Sequence, residues 1–140
     1  MAQIMTEWIN DYKGNGTNLK HSDDIVKGFQ NGMTGLNGTL RMTYSGVNAW
    51  DTDWEKKGTG HPSAGEAVRY VEKVSMAYFA GHGGPFGPIF SRTDKDDGIA
   101  HYSELRLGED QMLKCVVFDA GRILQTYWRW KPSMRGLHHI

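Results

Sequence analysis

Three observations predict an α/β fold, a three-layer sandwich around a largely parallel central sheet. Two predicted strands, Val71 to Ala80 and Leu113 to Ala120, end in apolar runs, Tyr78-Phe79-Ala80 and Cys115-Val116-Val117-Phe118, that stop abruptly at small or polar residues, Gly81-His82-Gly83 and Asp119-Ala120-Gly121. Such runs mark buried strands that deliver functional groups at their carboxyl edge. The third observation is that the predicted strands are separated by helical or long connecting segments, which parallel pairing requires. At 140 residues the chain forms one domain, 1–140, large enough to bury a core.

Gln3 to Ile9 is the first predicted strand, and Asn10-Asp11-Tyr12-Lys13-Gly14-Asn15-Gly16 is a loop by its density of turn formers. A helix follows. Ser22 suits its N-cap, Asp23 and Asp24 suit the positive end of the helix dipole, and Ile25, Phe29 and Met33 recur on one face. Gly32, Gly35 and Gly38 are expected to break it up. Leu40-Arg41-Met42-Thr43-Tyr44 alternates like a half-buried strand, and Gly46 to Gly65 is polar with a short helix expected around Thr52 to Lys57. After the strand Val71 to Ala80, Gly83 to Gly98 reads as mostly loop, with a short ordered piece near His101 to Leu105 before the strand Leu113 to Ala120. No internal repeat, low-complexity tract or linker interrupts this order.

Lys plus Arg (16) equal Asp plus Glu (16), so charge points to neither a nucleic-acid nor a membrane-surface partner. No apolar run approaches a membrane span, and Met-Ala-Gln-Ile-Met-Thr-Glu lacks the regions of a signal peptide, so a soluble, cytoplasmic protein is expected. The single cysteine, Cys115, excludes an internal disulfide framework and reads as a small core residue. The Asn-Gly-Thr sequences at Asn15 and Asn37 then read as turns.

Gly81-His82-Gly83-Gly84 and Cys115-Val116-Val117-Phe118-Asp119-Ala120-Gly121 together resemble the caspase, legumain, gingipain and metacaspase clan of cysteine peptidases. In that clan one strand ends in His-Gly and the next in Asp-Ala-Cys or a close variant. The chain is similar to an uncharacterised prokaryotic branch through Glu7-Trp8-Ile9-Asn10-Asp11-Tyr12, Asn48-Ala49-Trp50-x-x-Asp53, Gly81-His82-Gly83 and Gly136-Leu137-His138. The resemblance implies a caspase-like sheet and a cysteine endopeptidase acting on a peptide or protein substrate. It implies His82 as acid/base and residue 121 as the nucleophile position, and the glycines around His82 make the amides of Gly83 and residue 121 candidate oxyanion donors. Asp119, two residues before that position, would line a pocket for Arg or Lys. In the branch the Gly-Leu-His segment runs on into a further apolar stretch, so part of the domain is expected to be absent or to lie on a separate, cleaved chain.

Gly121 occupies the nucleophile position, and without a thiolate no acyl-enzyme forms. The chain as it stands is expected to be inactive, through an inactivating substitution or as a natural pseudopeptidase that binds a peptide or partner in its groove. No cofactor and no metal is predicted. Asp94, Asp96 and Asp97, followed by Gly98, lack the alternation and terminal Glu of a calcium loop and read first as a solvated turn, with calcium activation, as in some relatives of the resembling clan, the open alternative. His82, His101, His138 and His139 lack a compact ligand spacing for zinc. The five tryptophans read as packing residues, with Trp128-Arg129-Trp130 placed to border a groove.

Overall fold

The computed structural model describes residues 2–58, 65–93, 96–120, 123–128 and 136–139, the last two segments as backbone. Its elements are β1 (Gln3–Trp8), α1 (Ser22–Gly35), β2 (Thr39–Ser45), β3 (Met76–Gly84), β4 (Gly87–Ile89), β5 (Cys115–Ala120), β6 (Ile123–Trp128) and β7 (Gly136–His139). The sheet order is β2-β1-β3-β5-β6-β7, with β4 paired to the end of β3. The first four strands are parallel to one another, and β6 and β7 extend the sheet as antiparallel strands. An α/β fold with a largely parallel central sheet is therefore present.

β1 lies between β2 and β3 and is covered on both faces, so Ile4, Met5, Thr6 and Glu7 are all fully buried rather than alternating. One face of the sheet carries α1. There Gln30 donates to the Thr6 hydroxyl (2.8 Å), and Phe29 stacks on Tyr78 with ring centroids 4.5 Å apart. The other face carries the main aromatic core. Trp54 packs on Phe79 (6.4 Å) and Phe118 (5.2 Å), and Phe90 lies 4.7 Å from Phe79. This third layer is built from short 3-10 turns, at Asp51–Trp54, Val71–Lys73 and Tyr102–Glu104, and from irregular backbone among the described residues.

Several sequence expectations shift. Ser22 is the first helical residue, not the cap: His21 precedes it without capping the helix amides through its side chain, and Asn10 Oδ1 accepts from the Asp23 amide (3.2 Å). The helix runs through Gly32 and ends at Gly35, since its packing on the sheet outweighs the modest cost of an internal glycine. Its buried line is Ser22 and Val26, while Ile25 is 43% exposed. The segment from Val71 opens as a 3-10 turn, and β3 begins only at Met76 but continues through His82. β4 folds back on β3 as a short hairpin within the segment expected to be mostly loop, because Gly87 (φ 150°) makes the turn backbone available. The short helix expected around Thr52 to Lys57 is the 3-10 turn Asp51–Trp54. Asn37 (φ 66°) and Gly14 (φ 85°) confirm both Asn-Gly regions as turns.

Candidate functional site

The carboxyl ends of β3 and β5 lie side by side, in a register that pairs Ala80 with Asp119 and Gly81 with Ala120. Alternation along the strands places Tyr78 and His82 of β3 and Asp119 of β5 on the α1 face. Phe79 and Gly81 point to the aromatic face. Gly121 lies outside the described residues, so its distance to His82 does too.

His82 is held by the loop that joins β1 to α1. Its ring Nε2 donates to the carbonyl oxygen of Thr17. A carbonyl only accepts, so the neutral ring carries its proton on Nε2 and keeps a lone pair on Nδ1. The loop is itself fastened. The Tyr12 amide donates to Asn18 Oδ1 (2.8 Å), the Leu19 amide to the Asn10 carbonyl (2.7 Å), and Asn15 Nδ2 to the Ser91 carbonyl (2.8 Å).

Tyr12 forms the floor beneath His82. Its hydroxyl accepts from the His82 amide (2.6 Å) and donates to the Ile89 carbonyl of β4 (2.8 Å), bridging two residues that face each other in the β3/β4 register. The Tyr12 and His82 rings lie 4.6 Å apart. Burial pushes the Tyr12 hydroxyl well above the usual phenol range, so it stays protonated as this bridge requires. Gly81 is dictated by the same contact: a Cβ there would lie 2.7 Å from the Tyr12 oxygen and 2.7 Å from Phe79 Cζ. Gly83 is equally confined, with a Cβ 2.6 Å from Ala120 Cβ and 2.7 Å from the Ala120 oxygen. The glycines flanking His82 thus let three chain segments meet at the strand end.

Asp119 is half-buried and accepts a hydrogen bond from the Tyr78 hydroxyl at 2.8 Å. Burial first, and the Asp119 carboxylate second, raise the Tyr78 hydroxyl above its ordinary range. Tyr78, clamped on Phe29, fixes that carboxylate one pleat step behind His82 on the same face. Cys115 sits at the opposite, amino-terminal end of β5, where burial raises its thiol, so it cannot serve His82.

A second acidic centre lies under β1 on the aromatic face. The fully buried Glu7 carboxyl faces Asp53, and burial followed by the Asp53 charge raises it well above the usual carboxylate range. Beside it a cleft of about 340 Å³ opens between Tyr44, Asn48, Trp50, Asp53 and Tyr70. The segment Glu7–Tyr12 therefore meets Asn48–Asp53 through Glu7, and meets Gly81-His82-Gly83 through Tyr12 at the sheet edge. Asp97 accepts from, or pairs with, His101 Nε2 (2.7 Å), so His101 belongs to a local turn. Asp96 lies beside Asp51 and Glu55, a grouping no sequence spacing announced. Asp94, Arg129 and Trp130 lie outside the described residues, as do the side chains of Trp128 and His138.

Sequence reasoning missed two parts of the His82 environment. The Tyr12 hydroxyl had a signal, since Tyr12 ends the Glu7–Tyr12 segment. Thr17 contributes only a carbonyl, which every residue type possesses, and so left none. No helix among the described residues is long and apolar enough to cross a membrane. No curated protein and no solved structure matches the chain. A family model described as a domain of unknown function (DUF6345) matches residues 6–140, nearly the whole length, and the chain thus belongs to that family.

Proposed function

We propose that this chain is a caspase-like cysteine endopeptidase domain of the cytoplasm, held in an inactive form by glycine at position 121. The observation that carries the reading is the pinned histidine. His82 stands at the carboxyl edge of a parallel sheet, its Nε2 tied to Thr17 and its Nδ1 lone pair free to take a proton, beside the end of β5. In the active form a cysteine at position 121 supplies the thiolate, His82 accepts its proton and later returns one to the leaving amine, and the Gly83 amide stabilises the oxyanion. Asp119 would receive an Arg or Lys side chain preceding the scissile bond.

The test is restoration. Gly121→Cys should react with a thiol-directed peptide probe, and the additional change His82→Ala should abolish that reaction. Equal labelling of the parent through Cys115 would refute the assignment. A second reading, favoured by Gly121 itself, is a natural pseudopeptidase that binds a peptide without cleaving it. In that case the parent binds Arg-containing peptides while Gly121→Cys acquires no labelling.

A further inference from the structure

We propose that Asp51, Glu55 and Asp96 form a binding site for a hard divalent cation, on the face of the sheet opposite His82. One oxygen from each of the three carboxyls lies within 4.8 Å of the others. Two oxygens on opposite sides of an ion bound at about 2.3–2.6 Å are about 4.6–5.2 Å apart, so a single cation can touch all three. The donors are oxygen only, which suits calcium, magnesium or manganese rather than zinc or copper.

The cluster is more than surface acidity. Asp51 and Glu55 are both fully buried, and none of their four carboxylate oxygens has a hydrogen-bond partner in good geometry, the Thr52 amide being the one donor turned toward Asp51. Buried carboxylates are normally paired or hydrogen-bonded, because losing hydration without compensation is costly. The charges acting on them make the burial harder: Asp96 and Asp97 face Asp51, and Asp51, Asp96 and Glu104 face Glu55, all acids. Positive charge must reach these oxygens as shared protons or as a metal ion.

Separately anchored segments hold the three side chains in place. Asp51 opens the 3-10 turn Asp51–Trp54 and Glu55 closes it, its amide donating to the Thr52 carbonyl (3.3 Å). Glu55 also bridges to Leu105, and the Lys56 amide donates to the Glu104 carbonyl (2.9 Å). Asp96 belongs to the turn closed by the Phe90 amide on the Gly98 carbonyl (2.7 Å) and by the bridge between Ile89 and Ile99. A cation there would clamp the segment after β2 to the connection between β4 and β5. It would thereby support β4, whose Ile89 receives the Tyr12 bond.

The experiment uses chelator-treated full chain titrated with calcium, magnesium or manganese chloride, followed by calorimetry and thermal unfolding. One of the three should bind at one ion per chain and raise the Tm by about 5 °C or more at saturation. Terbium should show luminescence excited through the tryptophans, displaced by that cation. Asp51→Asn and Asp96→Asn should each abolish binding; if Asp51→Asn fails to fold, the half-buried Asp96 position decides the matter. The proposal is overturned if no cation binds at about 1 mM, the weak end of protein calcium sites. It is equally overturned if Asp96→Asn binds as the parent does, or if Glu55→Gln stabilises a parent that ignores every cation, the signature of shared protons.

Discussion

Replacing Tyr12 with phenylalanine removes one oxygen and breaks two hydrogen bonds at the strand end. The His82 amide loses its acceptor and the Ile89 carbonyl loses its donor. A buried polar group left without a partner costs about 1–3 kcal/mol, and the ring itself remains to fill the same space. Tyr12 is fully buried, so water cannot step in without opening the loop. The two groups face each other in the β3/β4 register, so partial closure of the hairpin recovers some of the loss. A net cost of about 2–3 kcal/mol follows.

For a chain of this length the unfolding entropy is about 0.3 kcal/mol per kelvin, so the Tm should fall by roughly 7–10 °C. Thermal unfolding followed by circular dichroism measures this directly, and hydrogen exchange at the His82 amide should accelerate in parallel. The folded Tyr12 pKa is raised above its unfolded value, so its contribution is fully present below the ordinary tyrosine pKa of about 10 and is lost only as pH rises through the higher folded value. The difference between parent and variant should therefore be flat from about pH 6 to about pH 9. A Tm fall below about 2 °C would refute the bridge as a structural element of the site.

Gly83→Ala should lower the Tm measurably, by about 1–3 kcal/mol of stability, because its methyl group meets Ala120 at 2.6 Å and backbone must move; unchanged calorimetric unfolding would show that the two strand ends are loosely packed. In the Gly121→Cys background, Asp119→Asn should lower kcat/KM for substrates with Arg before the scissile bond by at least ~10²-fold and spare neutral substrates, a profile readable from a peptide library. Cleavage after Arg at the parental rate would remove Asp119 from the pocket. Glu7→Gln addresses pH: the folded pKa of Glu7 is raised, so the stability it adds is present below about 4.5 and is lost as pH climbs through the folded value. Denaturant titrations across that range should show a shallower decline in the variant; identical slopes would mean that another group carries the dependence.

The local chemistry of strands and turns was legible before any coordinates. Runs ending at Gly81-His82-Gly83 and Ala120 read correctly as strands because apolar continuity reflects burial on both faces, a property each segment carries within itself. The turns at Asn15 and Asn37 were legible for a similar reason, since small polar residues and glycine tolerate backbone that others avoid. Boundaries were less legible. Val71 to Lys73 was expected as strand, yet it forms a 3-10 turn, with the Glu72 and Lys73 amides bonded to the Ala67 and Tyr70 carbonyls; bonding to β1 starts only at Ser75, whose amide donates to the Gln3 carbonyl. The face of α1 shifted from Ile25 to Val26 because the sheet below, not the helix, decides which side is covered.

By itself the sequence determined that His82 and Asp119 stand at strand ends and that position 121 carries no thiol, since these follow from residue identity and short-range pattern. Tertiary structure alone decided what surrounds them. The Thr17 carbonyl that sets the His82 tautomer, the Tyr12 hydroxyl between His82 and Ile89, and the convergence of Asp51, Glu55 and Asp96 all join residues distant in the chain. Each depends on parallel strands bringing separate loops to one edge, or on two segments packing over the same aromatic core. Spacing along the chain cannot encode such meetings, because the distance between two groups is set by the path of everything folded between them.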